Sequence, residues 1–473
     1  MARIQIKDCV AKIGENVELA GWVDVRRDHG KLIFIDLRDA SGVVQMVITP
    51  SDKELHKIAD TVRPEWVIAV GGTVQERPKG MQNPDIPTGT VEVAVTGLKV
   101  LSEAKTPPFA LDTDGREISE ELRMEYRYLD LRRSRMARNI RTRHQVIQFM
   151  RSELTGRGFV EIETPMLTKS TPEGARDYVV PARQHAGSFY ALPQSPQQYK
   201  QLLMVAGFEK YFQIARCFRD EDTRGDRQPE FTQLDIEMSF ITQDDILELI
   251  ETLYISLVKT LFPQKKIQQI PFPRITYKEA MEKYQSDKPD IRKNKNDPDE
   301  LAFVFVVDFP MFEWKETEKR WDAVHHPFTK VRRASDSPED IKDAIKRIKE
   351  KPAEQTADQY DFVLNGYEIG GGSIREHRPE VLQAVFEAMG HASENVREKF
   401  GHILRAFEYG VSPHGGIAPG IDRLLMILAS EPNIREVIAF PKTGDGRDLM
   451  MDSPAAIEPE QLRELGLEIR KKE

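Results

Sequence analysis

Residues 218–235 read FRDEDTRGDRQPEFTQLD, and eight of the twelve positions from Arg219 to Glu230 are charged. Apolar runs flank the stretch, KYFQIARC before it and IEMSF after it, so the pattern predicts a strand, a turn and a second strand. A turn that serves only solubility needs a glycine and a few polar groups. Arginines alternating with carboxylates suit a site that handles a polyanion and a metal. An arginine fork grips a phosphate oxygen through two parallel hydrogen bonds, and Arg219, directly after the strand, is held rigidly at its end. A salt-bridged hairpin tip fits the same residues, and this stretch alone does not separate the two.

A second stretch, YDFVLNGYEIGGGSIR at 360–375, places Asn365-Gly366 between apolar runs. That dipeptide predicts a two-residue hairpin turn. The register pairs Leu364 with Tyr367 and Val363 with Glu368, so Asp361 lies diagonally across from Glu368 on one face. Two carboxylates there repel each other unless a cation lies between them. A divalent ion with oxygen ligands, such as Mg²⁺ on a triphosphate, would relieve the repulsion; an acidic pair facing solvent is the alternative. Glycines 370–372 let a ligand approach the backbone.

Two further stretches carry chemistry. In SPHGGIAPGIDRLLMIL, 412–428, glycine and proline give way to an apolar helix with Asp422 and Arg423 in its first turn. An arginine there opposes the helix dipole, and a bound anion would offset that, since helix N-termini bind phosphate. A buried helix with an incidental arginine fits too. In GFVEIETPMLTKSTPEGARDYVVP, 158–181, a strand runs into Pro165 and then a polar loop with Glu173. QSPQQYKQLLMVAGF follows with Lys200 on a helix. Glu173 would hold an ammonium and Lys200 a carboxylate, the two groups an amino acid presents. VHHPFT, 324–329, adds a loop able to reach a ligand; its adjacent histidines diverge, which argues against a shared metal.

These stretches need a scaffold, and the chain of 473 residues is long enough for about two to four domains. Hydrophobic residues make up 40% and charged residues 31%, as in a globular protein with a core. No apolar run approaches the ~20 residues that cross a bilayer. MARIQIKDCV lacks the apolar core of a secretion signal, and the two cysteines, Cys9 and Cys217, suit a reducing compartment; a cytoplasmic location without membrane contact is expected. A net charge of −9 requires any nucleic-acid binding to be local.

Residues 1–104 read as all-β. VELAGWVDVRR, LIFIDLRD, VVQMVIT, WVIAVGGTVQE and TVEVAVTGLKVL are five short strands, which suit a barrel of the oligonucleotide-binding type. Arg26, Arg27, His29, Phe34 and Gln45 would suit unpaired bases on one face; a barrel with a core Phe34 fits as well. Residues 105–130 read as a hinge. SRMARNIRTRHQVIQFMRSELTGRGF predicts a helix capped by Ser134, with Ile140, His144, Ile147 and Met150 on one face and its arginines solvated. Ser337 and Pro338 predict the start of another, with Ile341, Ala344, Ile345 and Ile348 as its apolar stripe. Residues 286–300 read as a loop.

Taken together, GFVEIETP, FRDED…RQPEF and GIAPGIDRL resemble motifs 1, 2 and 3 of class II aminoacyl-tRNA synthetases. TPEGARDY, QSPQQYKQLLM, RQPEFTQLDIE, HHPFT and NGYEIGGGSIR resemble the aspartyl branch of bacterial type, and the match runs along nearly the whole chain. The resemblance implies an α+β fold: an N-terminal five-stranded OB-type anticodon-binding barrel (1–104), a hinge (105–130) and a catalytic domain (131–473) with an antiparallel sheet flanked by helices. It implies ATP-dependent activation of L-aspartate, transfer to tRNA(Asp), and a homodimer through motif 1.

The resemblance also implies roles. Arg219 holds the α-phosphate of ATP and the aspartate carboxylate, with Asp220 beside it. Glu221 and Gln228 contact the adenosine. Arg423, with the backbone of Gly420, Ile421 and Asp422, clamps the γ-phosphate, and Asp361 and Glu368 ligate Mg²⁺. Glu173, Gln197 and Asp235 surround the substrate ammonium. Lys200 and Arg375 grip its side-chain carboxylate, and His325 reaches in from its loop. In the barrel, Phe34 stacks a base while Arg27, Gln45 and Glu92 read the anticodon. His29 in RRDHGK and Gly80 in RPKGMQ resemble the form that also charges tRNA(Asn), where the strict form more often has Leu and Lys. Relatives usually carry an inserted domain between ITYKEAMEKYQSDKPD and VVDFPMFEW; here IRKNKNDPDELAFVF bridges that gap directly. Asparaginyl and lysyl enzymes share the barrel and motifs, but Arg375 with Lys200 argues for an acidic side chain.

Overall fold

A computed structural model describes residues 2–170, 174–332, 337–391 and 393–470. The chain forms two compact units, Met1–Ala110 and Leu111–Glu473.

The first unit is a closed barrel. Its strands are β1 (Asn16–His29), β2 (Leu32–Asp39), β3 (Gly42–Ile48), β4 (Val67–Glu76) and β5 (Val91–Ser102), in the order β1-β2-β3-β5-β4. Only β3 and β5 run parallel. In LIFIDLRD every second residue is buried, the two-residue period of a strand with one wet face. Ile33, Ile35 and Leu37 therefore enter the core with Val23, Val44, Met46 and Ile68. Phe34 has the opposite parity and faces outward, which overturns the core alternative. A helix absent from the sequence reading, α1 (Lys53–Thr61), links β3 to β4. Asp52 caps it by accepting from the Glu54 and Leu55 N–H groups at 3.1 and 3.0 Å.

The second unit is built on an eight-stranded sheet. Its strands are β6 (Val160–Glu161), β7 (Lys210–Phe218), β8 (Glu230–Ser239), β9 (Arg274–Thr276), β10 (Phe303–Val307), β11 (Gln359–Leu364), β12 (Tyr367–Ile374) and β13 (His414–Pro419). Their order is β9-β10-β11-β12-β13-β8-β7-β6. The central pairs are antiparallel, and only the edge pairs β9–β10 and β6–β7 are parallel. Four helices matter for the site: α2 (Ser134–Gly156), α3 (Gln197–Val205), α4 (Pro338–Glu350) and α5 (Ile421–Leu428). Val146, Met150 and Leu154 of α2 and Leu424, Leu425 and Leu428 of α5 share one core with Leu234, Ile236 and Ile417 of the sheet. Each such fully buried aliphatic side chain is worth ~1.5–3 kcal/mol.

Helix α2 departs from expectation in three ways. Arg133 occupies the cap position and Ser134 is the first helical residue. His144 is exposed, because the buried stripe is Met136, Asn139, Val146, Met150 and Leu154. Several of its arginines are not solvated: Arg135 pairs with Glu431 and Glu436 at 2.7 and 2.9 Å, and the side chain of Arg143 is only 16% exposed. Each enters the interior because a buried carboxylate waits there. Nearby, Arg123 and Arg127, in the short helices Glu120–Glu125 and Arg127–Asp130, are buried against Glu436 and Asp130. In α4, Ser337 caps as expected, accepting from the Asp340 N–H at 3.2 Å, and Ala344 and Ile348 are buried. No helix among the described residues is long and apolar enough to cross a membrane.

Candidate active site

Strand β8 brings the site together. Its sequence alternates Gln233, Asp235 and Glu237 with Leu234 and Ile236. The apolar pair enters the core, and the polar three lie on the other face. Asp235 and Glu237 are fully buried. Lys200, on α3, places its Nζ 2.6 Å from Asp235 Oδ1 and 3.3 Å from Glu237 Oε2. Arg375, just beyond β12, grips Glu237 with both arms, Nε–Oε1 at 2.9 Å and Nη2–Oε2 at 3.0 Å. Its remaining nitrogen, Nη1, donates to Ser373 Oγ at 2.7 Å and approaches His326 Nε2 at 2.9 Å. Burial would raise the Glu237 carboxyl, but Arg375 and Lys200 overcome it and hold it at about 2. Burial pushes Asp235 up despite Lys200. Glycine makes room for this arrangement: a Cβ on Gly416 would lie 2.1 Å from Glu237 Oε2 and 2.0 Å from Ile236 O.

Two cations are thus balanced by two buried anions at one wall of a cavity of about 430 Å³. Polar groups remain unfilled there. Asp235 Oδ2, Gln197 Nε2 and Arg219 Nε are buried with no hydrogen-bond partner among the described residues. An acceptor beside an amide donor and a guanidinium matches the ammonium and carboxylate of an amino acid.

The same cavity also carries groups suited to a polyphosphate. Arg219 follows β7 directly, and its backbone N–H pairs with Pro229 O at 2.9 Å. Its guanidinium lies over the Phe231 ring, 5.1 Å from the centroid. Arg423, in the first turn of α5, donates to Glu368 O at 2.7 Å and Asp226 O at 3.1 Å, and its Nη2 lies 3.2 Å from the Asp226 carboxylate. Arg219, Arg423 and Glu368 line the one cavity; Asp361 stands just behind it.

The β11–β12 hairpin starts as the sequence dictates, pairing Leu364 with Tyr367 and Val363 with Glu368, but a bulge follows and Asp361 faces Gly371. The two carboxylates still flank one point: a Cβ on Gly371 would lie 3.3 Å from Asp361 Oδ1 and 3.5 Å from Glu368 Oε1. Burial and the Asp361 charge raise the Glu368 carboxyl. This oxygen-only pair fits a hard divalent cation that takes its other ligands from water and phosphate. Among the described residues no group of three or more His, Cys, Asp or Glu forms a metal site by itself.

The adjacent histidines part as expected. His325, expected to reach toward the aspartate from its loop, lines the cavity and lies 3.4 Å from Asp361 Oδ2, while His326 meets Arg375. Burial would lower His325, but Asp361 and Glu368 raise it to about 9. Burial and Arg375 push His326 well below the usual range.

Other expected site residues also bond within the protein. The Gln228 amide is tied to the Lys442 backbone in both directions, donating to its O at 3.0 Å and accepting from its N–H at 2.7 Å. It fastens the turn while lining the cavity, as Glu221 does too. The Gly420 N–H donates to Ile369 O at 2.7 Å and Ile421 is in the core, while Gly420 and Asp422 line the cavity at the helix start. The Asp422 carboxylate turns to Thr232 and Arg143. The Asp220 N–H pairs with Arg176 O at 3.0 Å. Glu173 lies outside the described residues. Sequence reading missed Glu237 and Phe231, although polar residues at every second position of an apolar strand were a signal for Glu237.

In the barrel, Arg27 pairs in register with Phe34, Asp36 with Gln45, and Gln45 with Glu92. Arg27 bonds Asp36 at 2.9 Å. Both Glu92 oxygens are occupied, by Gln45 Nε2 at 2.9 Å and by Gln75 Nε2 at 2.8 Å. One outer face thus presents an aromatic ring beside a row of polar groups, and Gln75 joins the expected set. His29 is exposed at the end of β1. Gly80 has φ +86°, a left-handed value that favours glycine over lysine on conformational grounds alone.

Comparison with known proteins agrees with this geometry. The family model described as tRNA synthetases class II (D, K and N) matches residues 119–444, and the OB-fold nucleic acid binding domain model matches residues 17–101. A relative from Rubrobacter xylanophilus named aspartate–tRNA(Asp/Asn) ligase is 43% identical, with 97% of this chain and 95% of the relative covered. The alignment runs over 582 residues, against 473 in this chain, so the relative carries segments with no counterpart here. A Staphylococcus aureus relative named aspartate–tRNA ligase is 40% identical, with 97% and 98% covered. Among solved structures, the asparaginyl-tRNA synthetase of Pyrococcus horikoshii with asparaginyl-adenylate superposes with a TM-score of 0.73 at 24% identity, covering 97% of this chain and all of that one. The buried carboxylate–cation pocket, the arginine-lined cavity and these matches together establish that the chain belongs to the class II tRNA synthetases of the D, K and N group, with an N-terminal OB-fold domain.

Proposed function

We propose that this chain is an aspartate–tRNA ligase that activates L-aspartate with ATP and transfers it to the 3′ end of tRNA(Asp) and of tRNA(Asn). The observation that carries the reading is the pairing of Arg375 and Lys200 around Glu237 and Asp235 in a cavity that Arg219 also lines. The substrate's side-chain carboxylate meets Lys200 and Arg375, and its ammonium is surrounded by Asp235, the side-chain oxygen of Gln197 and Glu173. An asparagine amide turns an NH₂ donor toward those donors and forfeits hydrogen bonds that a carboxylate accepts, a penalty of roughly 1–3 kcal/mol.

The aspartate α-carboxylate attacks the α-phosphorus in line, and pyrophosphate leaves. Arg219 neutralises the charge that grows on the α-phosphate, and Arg423 holds the γ-phosphate. Phe231 offers its ring to the adenine, with Glu221 at the rim. Asp361 and Glu368 would hold Mg²⁺, which would supply charge neutralisation for the phosphates. No side chain forms a covalent bond; position and electrostatics lower the barrier. A ribose hydroxyl at the tRNA terminus then attacks the mixed anhydride, releasing AMP. Phe34 stacks an anticodon base, with Arg27, Gln45 and Glu92 beside it. His29 and Gly80 belong to the acceptance of tRNA(Asn), a reading supported by the Asp/Asn name of the Rubrobacter xylanophilus relative. In a cell, the mischarged product would need an amidotransferase to become Asn-tRNA(Asn). Two copies pair through the motif 1 region, where β6 is an edge strand and Val160 is 44% exposed; light scattering at twice the chain mass is the expected result. The enzyme acts in the cytoplasm.

The test is parallel charging of purified tRNA(Asp) and tRNA(Asn) with labelled aspartate. Both should be charged. Charging of tRNA(Asp) alone would reduce the reading to the strict enzyme and remove His29 and Gly80 from it.

A further inference from the structure

Arg143 lies in the middle of α2 and does not line the cavity, yet its guanidinium meets three segments that do. Nη1 pairs with Asp422 Oδ1 and donates to Val437 O at 3.3 Å; Nη2 donates to Thr232 Oγ1 at 2.9 Å. Each contact is a short step from a wall residue. Thr232 follows Phe231, Asp422 precedes Arg423, and Val437 ends the turn that begins at Ile434, itself part of the lining.

Local structure explains why a charge is needed here. Strand β8 pairs with β13 from Ile236 to Ser239 and makes one last bridge, from Gln233 to Gly420. At Thr232 it has left that neighbour, and its N–H goes instead to Asp422 Oδ2 at 2.8 Å. Asp422 therefore substitutes for a missing strand, and its carboxylate is 5% exposed. A carboxylate so buried needs a cation. Arg143 supplies it and spends its other arm on the Thr232 hydroxyl, which also accepts from Arg216 at 3.1 Å. None of the three contacts involves Lys200, Asp235, Glu237 or Arg375.

We propose that Arg143 is a positioning residue for the nucleotide: it fixes Phe231 and Arg423 relative to each other and so sets affinity for ATP without touching it. The proposal rests on the nucleotide reading above. The experiment measures aspartate-dependent exchange of pyrophosphate into ATP for wild type, Arg143→Met, Arg143→Lys and Thr232→Val, varying ATP and aspartate separately. Arg143→Met should raise the KM for ATP about tenfold or more while the KM for aspartate moves less than about twofold, because a buried anion loses its partner beside one wall only. Arg143→Lys should recover most of the loss. If Arg143→Met does not fold, Thr232→Val still removes one contact and should raise the KM for ATP about threefold, the scale of one hydrogen bond. Wild-type ATP affinity in Arg143→Lys and Thr232→Val together with Arg143→Met, or parallel rises for ATP and aspartate, would overturn it. Equilibrium dialysis of Mg-ATP against the same variants reads the wall without chemistry. A wild type that binds ATP but does not exchange with aspartate would count against the function reading, while the binding comparison would still decide Arg143.

Discussion

Glu237 has no proposed contact with the substrate itself, yet it organises both cations that do. Arg375 has two of its nitrogens on this one carboxylate and Lys200 shares it. Glu237→Gln keeps the shape and removes the charge. Losing one member of a buried ion pair costs ~3–5 kcal/mol, so the variant should unfold at lower denaturant and lose at least tenfold in kcat/KM for aspartate; denaturant melts and exchange kinetics measure both. His325 makes a pH prediction. Its folded value of about 9 lies above the ~6.5 of a free imidazole. A raised histidine stabilises fully below the unfolded value and loses that contribution as pH rises through the folded one. The stability difference between wild type and His325→Gln should therefore be largest near pH 6 and shrink between about 6.5 and 9; a flat difference would contradict the pairing with Asp361.

At the scale of elements, glycine spacing sets the pocket. Gly416 on β13 lets the neighbouring β8 carry Glu237, and an added methyl would meet Ile236 O at 2.0 Å. Gly416→Ala should force the strands apart and abolish aspartate activation, whereas Gly174→Ala, where nothing lies within 4 Å of the new atom, should act mainly through its φ of +104°. Exchange assays on both variants separate crowding from backbone strain. Elements with local signals were legible in the sequence: the Asn365-Gly366 turn, the Ser337 cap and the motif 2 hairpin all follow from neighbours within a few residues. The bulge after Val363 and the burial of Arg135 and Arg143 were not, because they depend on Ile369 and on carboxylates nearly three hundred residues away. A separation of 214 residues likewise hid the Gln228–Lys442 clasp.

At the scale of the molecule, the two units divide the work. The barrel buries its alternate residues completely, and that alternation was readable from LIFIDLRD; which outer residues form one row required the β3–β5 pairing, a contact between strands far apart in sequence. Phe34→Ala should raise the KM for tRNA about tenfold, since stacking on a base is worth ~1–3 kcal/mol, and filter-binding with unmodified tRNA(Asp) reads the same loss. In the second unit, the charged stretch at 218–235 is a phosphate-side wall only because Arg423 and Glu368 arrive from other strands and helices. On the proposed reading, substrate choice rests on Lys200 and Arg375, which pair with Asp235 and Glu237. The most direct measurement is exchange of labelled pyrophosphate into ATP with aspartate, asparagine or lysine as the only amino acid. Aspartate alone should support exchange; equal exchange with asparagine or lysine, or none with aspartate, would contradict the account.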